Sequence, residues 1–288
     1  MKNSRSMAII TGATSGIGKE FACRFAAAGH DLIITGRRTL ELRKVAEDLS
    51  SQYRVDVEVM TGDLADGRYC QELCEKIKRA GNIEVLVNNA GFGIDHAFHA
   101  IGIEDTRSML YTHMIATVEL IQAVLPGMIK RGSGTIINVS SLAAFTPGFS
   151  RSLYLGTKAF IHYFTEALFT EIGQFGIRMQ SLCPGMTVSD FHRNTQRENF
   201  EKKMSLLPFM SPEQVVSTSL NALKTGWVLC IPGFWNKLFY ISAKLLPTKV
   251  LMRISGFRKE MQDRLPEEIP FMKRADHERT AVALKHAS

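Results

Sequence analysis

Two residues near the middle of the chain have the types and the spacing needed to move a proton. Tyr154 and Lys158 lie four positions apart, so on a helix they share one face. A free tyrosine, with a pKa of about 10, holds its proton too tightly for easy exchange at neutral pH. A cation beside it lowers that pKa. The pair, preceded by Ser140 and Ser141, therefore indicates acid–base chemistry.

A glycine-rich turn near the N-terminus can hold a dinucleotide. The segment TGATSGIG (residues 11–18) follows a short apolar strand and precedes a helix, as such a turn requires. The N–H groups and partial positive charge of that helix start would attract a pyrophosphate. Alternatively, the turn binds no ligand. The expected cofactor residues are Gly12 for the tight turn, Thr14, Ser15, Gly16 for close approach to phosphate, Ile17, and Gly18 for helix packing.

The residues after the second predicted strand indicate which dinucleotide is bound. An acidic residue there would bind the adenosine ribose and repel a 2′-phosphate, but Arg37 and Arg38 follow instead. Two guanidinium groups can bind a phosphate dianion, which favours NADP(H); the alternative is a solvated arginine pair. After the third strand, Asp63–Leu64 suits an adenine contact. Asp63 can also cap the next helix.

Short apolar runs alternate with amphipathic stretches, as in the βαβ units of a parallel sheet. This predicts a doubly wound α/β domain of Rossmann type over residues 1–232 and a helical extension over 233–288. The predicted strands are Ala8–Ile10, Leu32–Thr35, Val57–Thr61, Val85–Asn88, Thr135–Val139, Arg178–Leu182 and Val228–Ile231. The predicted helices lie near 17–28, 39–51, 66–80, 104–130, 152–174, 212–224 and 236–246, with another after Thr248.

In this order the motifs resemble the short-chain dehydrogenase/reductase family, in its compact single-domain branch. A looser likeness, at Ile231–Pro232–Gly233 and the helices after it, is to a bacterial subgroup of poorly assigned reductases. The main resemblance covers about residues 7–224. Its motifs are TGATSGIG, Asp63–Leu64, Asn88–Asn89–Ala90–Gly91, Ile137–Asn138–Val139–Ser140–Ser141, Tyr154-x-x-x-Lys158 and Cys183–Pro184–Gly185–Met186–Thr187.

The resemblance implies a role for each motif. Tyr154 is the general acid/base, and Lys158 lowers its pKa and holds the nicotinamide ribose. Ser141 matches the substrate-orienting serine better than Ser140 does. Thr187 contacts the nicotinamide carboxamide or the pyrophosphate. The remaining implied cofactor contacts are Asn89, Ala90, Gly91, Pro184 and Gly185.

One catalytic position departs from the family. Counting back from Leu125–Pro126, the family's asparagine, which supports a water linking the lysine to solvent, falls at His113. A histidine can hydrogen-bond such a water or carry a proton. It can equally pack in the core. His113 is therefore a catalytic candidate with an open role.

Residues 186–210 correspond to the family's substrate lid. The segment carries several apolar side chains, which suit a hydrophobic ketone or alcohol or simply pack the lid onto the body. The expected function is an NADP(H)-dependent oxidoreductase for such a substrate. The alternative is a non-catalytic NADP(H)-binding sensor or interaction protein, which only His113 favours. The apolar lid residues are Phe191, Phe200, Met204, Leu206, Leu207, Phe209 and Met210.

The net charge of +7 comes from one block. Residues 224–259 contain seven Lys/Arg and no acidic residue, together with both tryptophans. This composition is typical of a segment that binds anionic lipid, which would place the protein at the inner membrane face. The favoured alternative is that these helices cover the substrate cleft or pair with a second subunit. No nucleic-acid-binding motif accompanies the block, so nucleic acid is not an expected partner.

The remaining features predict a cytoplasmic homo-oligomer without a metal. The five cysteines are scattered, and no His or Cys cluster completes a metal site around Cys70 and Cys74. Reduced thiols are typical of a cytoplasm. We find neither a signal peptide nor an apolar run of about 18 residues.

Overall fold

A seven-stranded parallel sheet forms the centre of the computed structural model, which describes residues 5–94, 98–147, 151–188 and 207–253. The strand order is β3-β2-β1-β4-β5-β6-β7. Each predicted strand is present. The inner strands are largely buried on both faces of the sheet, whereas the edge strand Val57–Thr61 is only partly buried. The strands are β1 (Met7–Thr11), β2 (Asp31–Gly36), β3 (Val57–Thr61), β4 (Ile83–Asn88), β5 (Gly134–Val139), β6 (Ile177–Leu182) and β7 (Leu229–Cys230).

Helices cover both faces of the sheet, so the predicted doubly wound Rossmann-type fold is confirmed. α1, α2 and α7 pack on one face and α3, α5 and α6 on the other. The helices are α1 (Gly16–Ala27), α2 (Thr39–Tyr53), α3 (Gly67–Ala80), α4 (Ile103–Leu110), α5 (Ala116–Arg131), α6 (Ser152–Ile172), α7 (Pro212–Leu223) and α8 (Phe234–Leu245).

The strand order reverses between β1 and β4, and a ligand crevice opens at the carboxyl ends of strands on either side of such a reversal. Thr11, at the end of β1, fixes the chain that leaves β4. Its Oγ1 accepts hydrogen bonds of 2.9 Å from the N–H groups of Asn89 and Ala90 and donates to the Val87 carbonyl. The two crevice walls are thus joined by one side chain.

The predicted helix 104–130 contains a feature that the sequence pattern did not indicate. Between α4 and α5, residues Tyr111–Ile115 form a π-helical turn without breaking the helix. The continuous helix Ile103–Arg131 is long and apolar enough to cross a membrane, a candidate that the search for uninterrupted apolar runs missed. Half of its most apolar window is buried inside the protein, where α5 contributes several side chains to the core.

The C-terminal elements differ from the prediction at their ends. α8 begins at Phe234, two residues early, because Gly233 (φ 88°) turns the chain immediately before it. Residues 248–253 are helical, as predicted. Pro247, not Thr248, precedes the first helical residue, and its carbonyl accepts from Val250 and Leu251.

A buried polar network holds α6 against the sheet. Asn138 on β5 accepts a 2.8 Å hydrogen bond from Asn88 Nδ2 on β4 and donates one of 2.9 Å to Thr165 Oγ1 on α6. Thr165 in turn donates to the Ile161 carbonyl. A buried polar group costs free energy unless it is paired, so this network favours one placement of α6.

We expect Asn138→Ala to lower the free energy of unfolding by about 2–4 kcal/mol, since it leaves Asn88 and Thr165 without their partner. Thr170→Ala is a matched control on α6, where an exposed hydroxyl donates to Ala167. The control should change stability by less than about 0.5 kcal/mol in urea denaturation. Equal losses for the two variants would contradict a structural role of the network.

Candidate active site

The glycine turn has the close packing that its sequence predicts. Gly12 and Gly16 adopt positive φ angles of 67° and 56°, which glycine tolerates best. A Cβ at Gly18 would overlap the Gly12 carbonyl oxygen and the Asn89 amide. That amide donates to the carbonyls of Thr11 and Gly12 at 3.0 and 3.1 Å. The turn, the start of α1 and the chain after β4 therefore form one tightly packed unit.

Arg38 lies beside the N-terminus of α1. Its Nη2 donates to Thr14 Oγ1 at 2.6 Å and to Ser15 Oγ at 3.0 Å. Ser15 precedes α1 in extended conformation, and its side chain does not cap the helix. Ile17, on the first turn, packs against the core. The open helix start and a guanidinium thus flank the same turn, an arrangement that suits phosphate groups.

Arg37 lies further out in the crevice. Its Nη1 is 3.6 Å from Asp63 Oδ2, and its guanidinium carbon is 5.8 Å from the centroid of the Phe92 ring. Both charged side chains are exposed, and such an ion pair contributes little, so Arg37 remains available to a ligand. Leu64, beside Asp63, is buried in the core.

The alternative role of Asp63 as a helix cap is wrong. Asp66, not Asp63, caps α3, by accepting from the N–H of Arg68. Asp63 Oδ1 accepts from the N–H of Ala65 at 3.0 Å within the preceding turn. Its second carboxylate oxygen faces Arg37 in the crevice.

The two serines after β5 have different environments. Ser140 is buried and donates to the Lys158 carbonyl at 2.7 Å, so its proton is committed to holding α6. Ser141 Oγ is less buried and accepts from the Ala143 N–H at 3.1 Å. Among the described residues its own O–H has no acceptor. Ser141 is the serine that can donate to a ligand.

Lys158 is a buried cation next to Tyr154. Its Nζ donates to the Val139 carbonyl at 2.8 Å and lies 5.7 Å from the centroid of the Tyr154 ring. Burial lowers the pKa of Lys158 to about 8. In the described part of the chain Lys158 forms no ion pair. Its field therefore acts on Tyr154 without being neutralised by a carboxylate.

Gly91 brings the chain after β4 over this site. A Cβ there would lie 3.0 Å from His113 Nε2 and 3.5 Å from Lys158 Nζ. Only glycine leaves the space between them open. The predicted Asn89–Ala90–Gly91 segment thus reaches from the glycine turn to the Tyr154–Lys158 pair.

His113 joins three segments of the site. Its Nε2 accepts from the Phe92 N–H at 3.0 Å, and its Nδ1 is 2.8 Å from Thr157 Oγ1. Thr157 donates its own proton to the Tyr154 carbonyl, so His113 Nδ1 carries a hydrogen and donates to Thr157. Burial is the main cause that holds the pKa of His113 well below its usual range, and the nearby Lys158 cation lowers it further. The ring is thus neutral and both nitrogens are occupied.

The chain from Pro184 to Thr187 follows the carboxyl end of β6, on the other side of the strand-order reversal from the glycine turn. The Leu142 N–H donates to the Pro184 carbonyl at 2.9 Å, which ties this loop to the turn after Ser141. The ends of the predicted lid meet where Thr187 pairs with Met210. The lid residues Phe191, Phe200, Met204 and Leu206 lie outside the described residues.

Asn236 is a site-bordering residue that the sequence analysis missed. It projects from α8 against Gly185, where a Cβ would overlap its side-chain amide. Its Nδ2 donates to the Pro232 carbonyl at 2.7 Å. An asparagine at the otherwise apolar start of a helix was the available signal. α8 thereby supports the loop that carries Gly185.

A second polar cluster lies outside the crevice. Potential ligand atoms of Cys70, Cys74 and Glu119 all lie within 4.8 Å of one another between α3 and α5. The sequence analysis considered only His and Cys as further ligands around the two cysteines, so it did not include Glu119, a carboxylate on another helix that has no sequence signature. All five cysteines are free thiols.

The depressed pKa of Lys158 predicts how stability depends on pH. The unfolded lysine binds its proton up to a pKa of about 10.5 and the folded one only to about 8, so folding releases a proton between these values. Stability therefore rises as pH increases through this window. At about pH 7 the full penalty, about 3 kcal/mol, applies.

We expect Lys158→Met to be more stable than the parent protein by about 2–3 kcal/mol at about pH 7, with the difference shrinking toward about pH 10.5. Urea denaturation at several pH values measures this. Lys130→Met, at an exposed lysine on α5, is the control and should show no such trend. A destabilised Lys158→Met at about pH 7 would show that the buried ammonium contributes net stability.

Comparison with known proteins identifies the family. The sequence profile described as "short chain dehydrogenase" matches residues 6–199. An uncharacterised oxidoreductase of Staphylococcus saprophyticus is 31% identical over 219 residues, which span 76% of this chain and 91% of the relative. The 3-oxoacyl-[acyl-carrier-protein] reductase of Aquifex aeolicus is 30% identical over 243 residues, spanning 81% and 98%.

Solved structures agree with the sequence matches. The short-chain dehydrogenase from Sphingobium yanoikuyae in complex with NADPH aligns with a TM-score of 0.74 and 26% identity, covering 91% of this chain and 97% of that one. The fold, the order of the motifs and these likenesses lead to one conclusion. The chain belongs to the short-chain dehydrogenase/reductase family of oxidoreductases, whose fold binds a nicotinamide cofactor.

Proposed function

We propose that this protein is an NADP(H)-dependent oxidoreductase that reduces a hydrophobic ketone, or oxidises the matching secondary alcohol. The observation that carries the proposal is the Tyr154 ring lying 5.7 Å from the Nζ of a fully buried Lys158. A buried, unneutralised cation costs stability, and acid–base catalysis at the neighbouring phenol gives a reason to retain it.

Each residue has one task in this proposal. Ser141 donates its O–H to the substrate oxygen, and Tyr154 gives that oxygen a proton during reduction or removes it during oxidation. Lys158 stabilises the phenolate that Tyr154 leaves. The bound nicotinamide supplies or accepts the hydride at the substrate carbon. His113 orients Phe92 and the Tyr154–Thr157 turn; it is neutral and both ring nitrogens are hydrogen-bonded within the protein, so it does not transfer a proton to the substrate.

The choice of NADP(H) is supported by the arginines after β2. Arg38 contacts the glycine turn, and the ion pair of Arg37 with Asp63 is exposed and weak. The structural relative from Sphingobium is described in complex with NADPH. In the proposed complex Arg37 binds the 2′-phosphate, while Asp63 accepts from the adenine amine.

The preference for an apolar substrate rests on the composition of the predicted lid and on a relative. Residues 186–210 are rich in phenylalanine, leucine and methionine. The name of the Aquifex relative includes a 3-oxoacyl substrate, in which a ketone is part of an acyl chain.

We further propose a cytoplasmic homo-oligomer, in which residues 1–232 form the catalytic domain and 233–288 an extension.

A screen of NADPH oxidation tests the proposal. Acyl-chain, steroid-like and small polar ketones are compared at equal concentration, and turnover should be greatest with the apolar compounds. Binding of NADPH without turnover of any ketone would favour the second candidate, a non-catalytic NADP(H)-binding sensor or interaction protein. The observation that favours it is His113 at the position of the family's asparagine.

We expect NADPH to bind more tightly than NADH in calorimetric titration. Arg37→Asp should reverse this order, because it removes a phosphate partner and adds repulsion. Arg43→Asp makes the same charge change at an exposed position on α2, away from the turn after β2, and should leave the preference unchanged. Equal affinities of the parent protein for the two cofactors would contradict the assignment.

We expect Tyr154→Phe to lower kcat about 10²–10⁴-fold, since only the acid/base hydroxyl is lost. Affinity for NADPH, measured by calorimetry, should stay nearly the same. Ser140→Ala is the control. It removes a hydroxyl that holds α6, so it should lower the free energy of unfolding while lowering kcat much less than Tyr154→Phe does. Retention of more than about a tenth of the activity in Tyr154→Phe would place the proton on another residue.

A further inference from the structure

α8 is apolar on two opposite faces. Its inner face packs Phe239 and Tyr240 against a core cluster that contains Leu142 and Ile231. Its outer face presents a second apolar row at helical spacing, which we call the α8 stripe. The α8 stripe consists of Phe234, Leu238, Ile241 and Leu245, which are 71%, 45%, 51% and 79% exposed.

The α8 stripe belongs to a larger apolar area. Among the described residues, most of the exposed large apolar side chains of the chain fall between residues 227 and 252. Soluble proteins rarely concentrate exposed apolar side chains in one region unless that region binds something. Outside the α8 stripe, the members are Trp227, Trp235, Leu246, Val250 and Met252.

The charge of the same region has one sign. Residues 224–253 contain no acidic residue, and every basic residue in them is exposed. On α8 itself, Lys237 and Lys244 lie along one flank of the α8 stripe. The basic residues are Lys224, Lys237, Lys244, Lys249 and Arg253.

A groove of about 680 Å³ runs beside α8 and joins the α8 stripe to Trp227. Ile241 and Tyr240 form one wall and Trp227 another, with Lys237 and Glu166 also at its edge. Tyr154, Lys158 and Ser141 do not line it. The groove therefore extends the apolar surface without belonging to the catalytic site.

We propose that the α8 stripe, Trp227 and the surrounding lysines bind the surface of an anionic phospholipid bilayer. The helix lies in the plane of the interface with the α8 stripe among the acyl chains. Lys237 and Lys244 meet the lipid phosphates. Exposed tryptophans suit this zone because one part of the ring is apolar and its N–H is polar.

Charge complementarity favours a bilayer over a second copy of this chain. In a twofold-symmetric dimer the same patch faces itself, so the lysines of one copy would meet the lysines of the other. Among the described residues that line the groove, Glu166 is the one acidic residue, and a single carboxylate cannot balance the charge of the lysines of both copies. An anionic membrane supplies the missing opposite charge. The inference does not depend on the proposed reaction.

Co-sedimentation of the full chain with lipid vesicles tests the inference. We expect binding to phosphatidylglycerol vesicles at about 20 mM salt, much weaker binding to phosphatidylcholine vesicles, and loss of the difference at about 500 mM salt. Lys237→Gln/Lys244→Gln should lower the partition coefficient about 30-fold, since each nearby basic residue contributes about fivefold. Ile241→Asp/Leu245→Asp should lower it at least about tenfold.

Matched controls separate this surface from general effects of charge and exposure. Lys44→Gln/Lys130→Gln removes two exposed lysines elsewhere, and Leu40→Asp alters a side chain with the same 79% exposure as Leu245. Neither should change vesicle binding. All variants are first shown to be folded by thermal unfolding.

Three results would overturn the inference. The first is failure of the parent protein to bind phosphatidylglycerol vesicles at low salt. The second is vesicle binding that the α8 variants leave intact. The third is a fall in molecular mass of Ile241→Asp/Leu245→Asp in analytical ultracentrifugation without lipid, which would assign the surface to a second copy.

Discussion

The burial of one ammonium group is the constraint on which the site depends. A lysine without a carboxylate partner is unfavourable inside a protein, so the surrounding structure must hold it there. Backbone carbonyls do this: Val139 accepts from Lys158 Nζ, while Ser140 binds the Lys158 carbonyl. Because neither contact is a counter-ion, the positive field remains directed toward Tyr154. The buried ammonium group lowers the free energy of unfolding, and in return its positive field acts on Tyr154.

The elements around the lysine are joined by short polar contacts rather than by packing alone. Asn138 links the sheet to α6, Thr11 links β1 to the chain after β4, and His113 links that chain to α6. Such contacts have defined directions, whereas apolar contacts do not. This explains how parts that are distant in sequence keep a fixed geometry at the carboxyl edge of the sheet.

Local patterns predicted most of the fold, and long-range contacts account for what they missed. Apolar runs located every strand, and the motif order located Tyr154, Lys158 and the glycine turn. The π turn at Tyr111–Ile115 was missed, because a shift of one residue in the apolar periodicity of a long helix is hard to tell from an uninterrupted helical pattern. The pairing of Asn236 with Gly185 and of Glu119 with Cys70 and Cys74 was also missed, since each joins residues from separate elements.

The π turn affects which side chain occupies the place of His113. A π turn contains about one more residue than an α turn, so it accommodates one extra residue without interrupting the helix. Deleting one residue between Tyr111 and Ile115 would convert the π turn to ordinary α-helix, so the side chains within the turn would move by up to about 100° around the helix axis while α4 and α5 kept nearly the same relative orientation. The side chain presented to Phe92 and Thr157 would then change identity. The length of this helix, and not only the residue at position 113, therefore determines which group lies beside Tyr154.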